Sequence, residues 1–239
     1  MKIAVRLSMI FHFSTNVAAY DIWNAPFHPR IHNMGNVGWG GKIHASAARF
    51  ATRIIDEKAY DGVNMREVLA KQMSHTFLNE SSILEIGCGA GTLTEHLSKH
   101  FKNLVALDTS QEMIDEAKIH LPNVDFRCEN GANAHTFDVD VAIASMLVHE
   151  LPKNAHLDLM NAMQKSITKK NGEVWIVDIH PVYKPSFMMK MGEPFVLSYL
   201  KEFETTVEEF CSEHDMDCDR ADIIPEHVRL WVLRPNFMV

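Results

Sequence analysis

From Ser82 onward, short apolar runs alternate with longer segments whose apolar positions recur at helical spacing. The runs at 83–86, 104–107, 124–128, 139–144 and 173–178 read as strands, and the segments at 92–99, 111–120 and 155–166 as helices between them. Strands alternating with helices at this spacing imply right-handed crossovers, and so a parallel sheet covered on both faces. The tail breaks the alternation. A helix at 194–213 precedes two strand-like runs, 216–224 and 227–234, separated only by Pro225-Glu226. Such a pair is a hairpin, and one of its strands must run antiparallel to the rest.

The first 81 residues follow a different pattern. Residues 20–42 hold Pro26, Pro29 and four glycines among aromatic side chains, the composition of an irregular, ordered loop. A helix at 42–58 places Ile43, Ala47, Phe50, Ile54 and Ile55 at helical spacing, and a second at 64–75 has Asn64 as its N-cap. The chain therefore divides into an N-terminal part of loop and helices (1–81) and a core (82–239) with an insertion at about 181–199.

Composition narrows the class. With 239 residues, 46% of them apolar and 23% charged, the chain can bury a sizeable core and is not wholesale disordered. Its net charge of −8 and the lack of a basic run disfavour nonspecific nucleic-acid binding. The nearly apolar stretch 141–148 is far too short for a membrane span. Cys88, Cys128, Cys211 and Cys218 are too scattered for a disulfide framework, which points to a reducing, cytoplasmic setting. Cys211, His214 and Cys218 have a zinc-like spacing without a fourth ligand nearby, and Met188, Met189 and Met191 read as core filler. Lys2, the apolar segment 7–13 and Val17-Ala18-Ala19 outline a short secretory signal, but Arg6 and His12 break its apolar character. The expectation is an amphipathic start to the domain.

The chemistry concentrates in Leu84-Glu85-Ile86-Gly87-Cys88-Gly89-Ala90-Gly91-Thr92, which follows a strand and opens a helix. Glycines there permit a tight turn and let backbone N–H groups approach a ligand at a positively polarised helix start. Asp108 ends the next strand, where a carboxylate can accept both hydroxyls of a ribose. The spacing is G-x-G-x-G, not the G-x-G-x-x-G of nicotinamide and flavin binders, because Thr92 takes the last glycine place.

At these residues the sequence resembles the class I S-adenosylmethionine-dependent methyltransferases, in particular their small-molecule branch, over about 82–181 and more loosely to 234. The resemblance implies an α/β fold: a seven-stranded, mostly parallel Rossmann-like sheet of order 3-2-1-4-5-7-6, with strand 7 antiparallel. It implies that Gly87, Gly89 and Gly91, with Cys88 among them, line the methionine part of S-adenosylmethionine. Glu85 would help hold its amino group and Asp108 its ribose. Thr109 to Met113 would lie under the adenine, with Met113 as an apolar contact. Where the family often has Gly-Asp-Ala, this chain has Cys128-Glu129-Asn130-Gly131-Ala132, so either Glu129 or Asn130 is the candidate acceptor for the adenine amine.

The segment leaving strand 4, Ser145 to Leu151, resembles the family's fourth motif, beside the transferring methyl. His149 stands where phenolic O-methyltransferases carry a catalytic histidine, and is the leading general base. A neutral imidazole suits removal of a proton from oxygen or nitrogen. His180, leaving strand 5 on the same edge, is the second candidate. Tyr20, Trp23, Trp39 and Tyr183 belong to segments that in this branch close over a small acceptor. No carboxylates group into a hard-oxygen ligand set, so no metal is expected. Two other readings stay open: a nucleic-acid or protein methyltransferase, and a non-catalytic cofactor-binding module. The acidic charge and the absence of Asn-Pro-Pro-Tyr and Pro-Cys motifs stand against the first, and the intact glycine set against the second.

Overall fold

The structure, a computed structural model, describes residues 38–168 and 171–236. Seven strands form one sheet: β1 (Ser82–Ile86), β2 (Asn103–Asp108), β3 (Asp125–Cys128), β4 (Val141–Ser145), β5 (Glu173–Ile179), β6 (Met216–Ile224) and β7 (Val228–Pro235). Their order is β3-β2-β1-β4-β5-β7-β6, parallel except that β7 runs antiparallel to β5 and β6. The expected hairpin is therefore present, with Pro225 and Glu226 in its turn.

Period-two alternation sends neighbouring strand residues to opposite layers. Leu84, Ile86, Val174 and Ile176 join the layer built with α5 (Lys153–Ser166) and α7 (Val196–Glu213), where Tyr199, Phe203, Phe210 and Trp231 are fully buried. Ile83, Trp175 and Val177 join the other layer, with Met65, Leu69 and Met73 of α2 (Met65–Thr76). Each such side chain contributes about 1.5–3 kcal/mol by leaving water. β5 is buried at all seven positions, so Asp178, one residue from its carboxyl end, is wholly enclosed.

The helices depart from expectation in three places. The first helix, α1, spans Gly38–Ala59, so residues 38–42 begin a helix instead of ending a loop. It lies against α4 (Gln111–His120), where Ser46 bonds Glu116. Its small residues Gly41 and Ala45 are buried, whereas Trp39, Ile43, Phe50 and Ile54 point outward and Ile55 borders the large cavity at the carboxyl edge of the sheet. Close helix approach favours small side chains, and that selects the face opposite to the larger apolar stripe. Second, α3 is only Thr94–Leu97, because the turn carrying Gly91 continues to residue 93. A helix this short supplies no useful dipole, so backbone amides of the turn must do that work. Third, the insertion contains an unforeseen helix, α6 (Phe187–Gly192), capped by Ser186 accepting from Met189 N. Asn64 caps α2 as expected, accepting from Arg66 N and Glu67 N. Among the described residues no helix is long and apolar enough to cross a membrane.

Candidate active site

A cavity of about 560 Å³ opens at the carboxyl ends of β1, β2, β4 and β5, with α1 forming one wall. Its floor is the turn after β1. Gly87 N and Cys88 N donate to Leu107 O at 2.8 and 2.9 Å, folding the turn back onto β2. Gly87 and Gly89 have φ of +73° and +52°. A Cβ on Gly87 would meet the Leu147 side chain at 2.8 Å, while one on Gly89 would meet nothing within 4 Å. The backbone at Gly89 is thus open to a ligand. Gly91 does not border the cavity; a Cβ there would press on Ala117 of α4 at 3.2 Å, so this glycine serves packing.

Asp108 fixes the turn from the side. Its Oδ2 accepts from Gly89 N and its Oδ1 from Ser110 N, both at 2.8 Å. Each carboxylate oxygen can accept more than one hydrogen bond, so this anchoring leaves Asp108 able to serve a diol. Glu85 is buried beside it, accepting from Thr94 Oγ1 at 2.6 Å. Burial pushes its pKa up to about 8, against opposing contributions from Thr94 and Arg66. Arg66, from the first turn of α2, reaches the same cavity and pairs with Asp56 at 3.4 Å. Sequence reasoning missed Arg66, because nothing local marks a helix-start arginine as facing a glycine turn. Met113 also borders the cavity, but Thr109, Glu129 and Asn130 do not. Asn130 instead accepts from Ala132 N at 2.9 Å, capping a short 3-10 turn.

At the other end, the chain leaves β4 through Met146 in the left-handed region, φ +54°, and Val148–Glu150 forms a 3-10 turn. Non-glycine residues in that region are uncommon and cluster where structure over-determines them. Asp178 supplies the constraint. It accepts from Val148 N (2.6 Å), His149 N (3.2 Å), Ile179 N (2.7 Å) and His149 Nδ1 (2.6 Å). An ionised carboxylate is an acceptor only, so Nδ1 carries a proton, and Nε2 is the nitrogen that loses its proton when the ring becomes neutral. Burial alone would lower the His149 pKa, but the Asp178 carboxylate, helped by Glu150 and Glu193, raises it to about 9. The expected near-neutral imidazole is therefore corrected: held by Asp178, His149 is mainly imidazolium at pH 7 and becomes neutral only as pH approaches 9. Ser145, Glu150, Tyr183 and Glu193 border the same part of the cavity. One ligand atom each from His149, Glu150 and Glu193 lie within 4.8 Å of one another, the one such group among the described residues with the spacing to hold a cation.

His180 is placed elsewhere. Its Nδ1 accepts from Val182 N at 3.1 Å, its Nε2 faces Asp222 at 3.4 Å, and it does not border the cavity. It shapes the turn after β5. Trp39 is 81% exposed and borders a shallow outer depression, not the cavity. Tyr20 and Trp23 lie outside the described residues. His214 does not look toward Cys211; its ring stacks on Phe210 at 4.1 Å and its Nδ1 meets Phe210 O.

A sheet of this order with its antiparallel seventh strand, and a cavity at the carboxyl edge floored by a glycine turn and an acidic residue ending β2, make up the fold of the class I S-adenosylmethionine-dependent methyltransferases. The family model described as a methyltransferase domain matches residues 83–172. A ubiquinone biosynthesis O-methyltransferase of Hydrogenovibrio crunogenus is 22% identical over 147 residues, 59% of this chain and 60% of that protein's length. An S-adenosylmethionine-dependent methyltransferase from Clostridium acetobutylicum superposes with a TM-score of 0.59 at 14% identity, covering 80% of this chain and all of that one. The plantazolicin methyltransferase BpumL, solved in complex with S-adenosylhomocysteine, does so with 0.55 at 18% identity, covering 82% and 96%.

Proposed function

We propose that this protein transfers a methyl group from S-adenosylmethionine to a small-molecule acceptor, with His149 as the base. The observation that carries the reading is one cavity lined by Glu85, Arg66 and Asp108 and also by His149, whose Nδ1 is held by Asp178 behind it. The residues fit the cofactor. Glu85, which gives up its proton when a cation binds, and Arg66 suit the ammonium and carboxylate of its amino-acid end. The open backbone at Gly89 allows close approach, Asp108 suits the ribose, and Met113 gives the adenine an apolar contact. When bound, the cofactor supplies an electrophilic methyl group on a positively charged sulfur.

The chain's own part is alignment and proton removal. Asp178 locks the 148–150 turn and the imidazole into one orientation, so Nε2 is presented without a conformational search. In the neutral form of His149, which grows as pH rises toward 9, Nε2 takes the proton that an oxygen or nitrogen nucleophile must lose, and Asp178 stabilises the imidazolium that results. The α1 wall and the residues around Tyr183 restrict water at the reacting atoms. We read 1–81 as a lid and helices on the 82–239 core, which agrees with α1 bordering the cavity.

Incubating the full chain with methyl-labelled S-adenosylmethionine and a panel of small acceptors, tRNA and protein tests the proposal. Label should appear in a small molecule. Cofactor binding with label found only in tRNA or protein would overturn the acceptor class.

A further inference from the structure

The helix α1 has three faces of different character. Gly41, Ala45 and Asp56 are buried, and Ala48, Ala51 and Ile55 border the cavity. Turned away from both is a stripe of Trp39, Ile43, Phe50 and Ile54, at i, i+4, i+11 and i+15, of which Trp39 is 81% and Phe50 65% exposed. Single apolar side chains on a surface are ordinary, but four in line on one helix face mark an interaction surface. The insertion over the cavity repeats the arrangement. Met189 of α6 borders the cavity, whereas Phe187 of the same helix and Val182 before it are exposed.

Charge decides what fits this surface. The chain carries −8 overall, yet 38–55 holds Lys42, Arg49 and Arg53 with no acidic residue, and 181–192 holds Lys184 and Lys190 with none. Arg49 is engaged with Glu95, while Lys42, Arg53, Lys184 and Lys190 are exposed among the apolar positions. A second copy docked through the same face about a twofold axis would set these cations against their own kind. Residues 1–37 carry Lys2, Arg6 and Arg30 against Asp21 alone, so they bring no opposite charge either. Aromatic and aliphatic side chains flanked by lysine and arginine on a helix are the pattern that binds an anionic lipid surface, the rings entering the acyl boundary and the cations meeting the headgroups. We propose that α1 lies by its outward stripe on a membrane surface containing anionic lipid, with Phe187, Lys184 and Lys190 of the insertion as a second contact. A helix that lies on a bilayer needs no spanning run, which agrees with the length of the apolar stretches.

The test is cosedimentation of the full chain with vesicles of phosphatidylcholine alone and of an equal mixture of phosphatidylcholine and phosphatidylglycerol. The mixed vesicles should be bound about 10-fold or more tightly than the neutral ones, the scale of two or more basic side chains at an anionic surface. Phe50→Ser combined with Ile54→Ser should weaken binding to the mixed vesicles by about 10-fold or more, the scale of two apolar side chains returned to water. Lys42→Glu combined with Arg53→Glu should close the gap between the two vesicle types. None of these four side chains borders the cavity, so S-adenosylhomocysteine affinity should stay near wild type and show that each variant is folded. Failure of the full chain to bind either vesicle, equal binding of both, or wild-type vesicle binding by either double variant overturns the proposal. A dimer that Phe50→Ser with Ile54→Ser dissolves, without vesicle binding, would give the stripe to a second copy and overturn it as well. So would retention by tRNA with none by vesicles. In each of these outcomes the S-adenosylhomocysteine complex still forms; its failure to form would instead count against the methyltransferase reading.

Discussion

Glu85 stands where a carboxylate is costly to ionise, and the sign of its shift makes a prediction at the residue scale. With its pKa raised to about 8, the free protein holds a proton there at pH 7 that a bound ammonium would displace. Cofactor binding should therefore release a substantial fraction of one proton. Calorimetry at pH 7 in buffers of different ionisation enthalpy reads this directly, and Glu85→Gln should abolish the release; an unchanged release would remove Glu85 from the binding site. His149 has the opposite linkage. Its folded pKa of about 9 exceeds the unfolded value of 6.5, so its stabilisation is fully present below pH 6.5 and disappears as pH rises through 9. Wild type should lose a few kcal/mol between pH 6 and 9.5 that His149→Gln does not lose, measured by urea unfolding. Parallel losses in both proteins would contradict the Asp178–His149 pairing. The same substitution should leave cofactor affinity near wild type and lower turnover by roughly 10²–10⁴-fold. Wild-type turnover would reduce His149 to scaffolding.

Elements show where local pattern stops informing. The strands and α4 were legible because burial imposes period two or 3.6 on the side chains themselves. The orientation of α1 was not: its larger apolar residues suggested the buried face, but packing on α4 demanded Gly41 and Ala45 instead. Capping made Asn64 readable, while Arg66 two residues later gave no local sign of facing Glu85. Asp178 was visible as a strand residue, yet three of its four hydrogen bonds join β5 to the turn after β4, a juxtaposition only the sheet order creates. Gly91 belongs to this scale as well. It reads as a cofactor residue in sequence, but the structure makes it a packing site between the turn and α4. Gly91→Ala, at φ +76° and against Ala117, should destabilise by about 1–2 kcal/mol or more and lower Tm by several degrees. A thermal melt unchanged from wild type would contradict that assignment.

At the scale of the whole molecule, the alternation of strands and helices with a terminal hairpin determines the sheet order, and the sheet order determines where ligands can bind. Sites in open α/β sheets lie outside the carboxyl ends of the strands, and the cavity is found there. The cofactor half was legible in the sequence because it is contiguous: Glu85 to Gly89, then Asp108 at the end of the next strand. Of the acceptor half the sequence pointed to His149 and Tyr183 but not to Asp178 or Glu193, since these residues come from β5 and from three different connections. The account as a whole depends on the cavity being an S-adenosylmethionine site. Calorimetric titration of the folded full chain with S-adenosylhomocysteine tests this most directly. One-site binding is expected, weakened by about 10- to 100-fold in Asp108→Ala, the scale of a lost charged hydrogen bond. Folded wild-type protein that takes up no S-adenosylhomocysteine would contradict it.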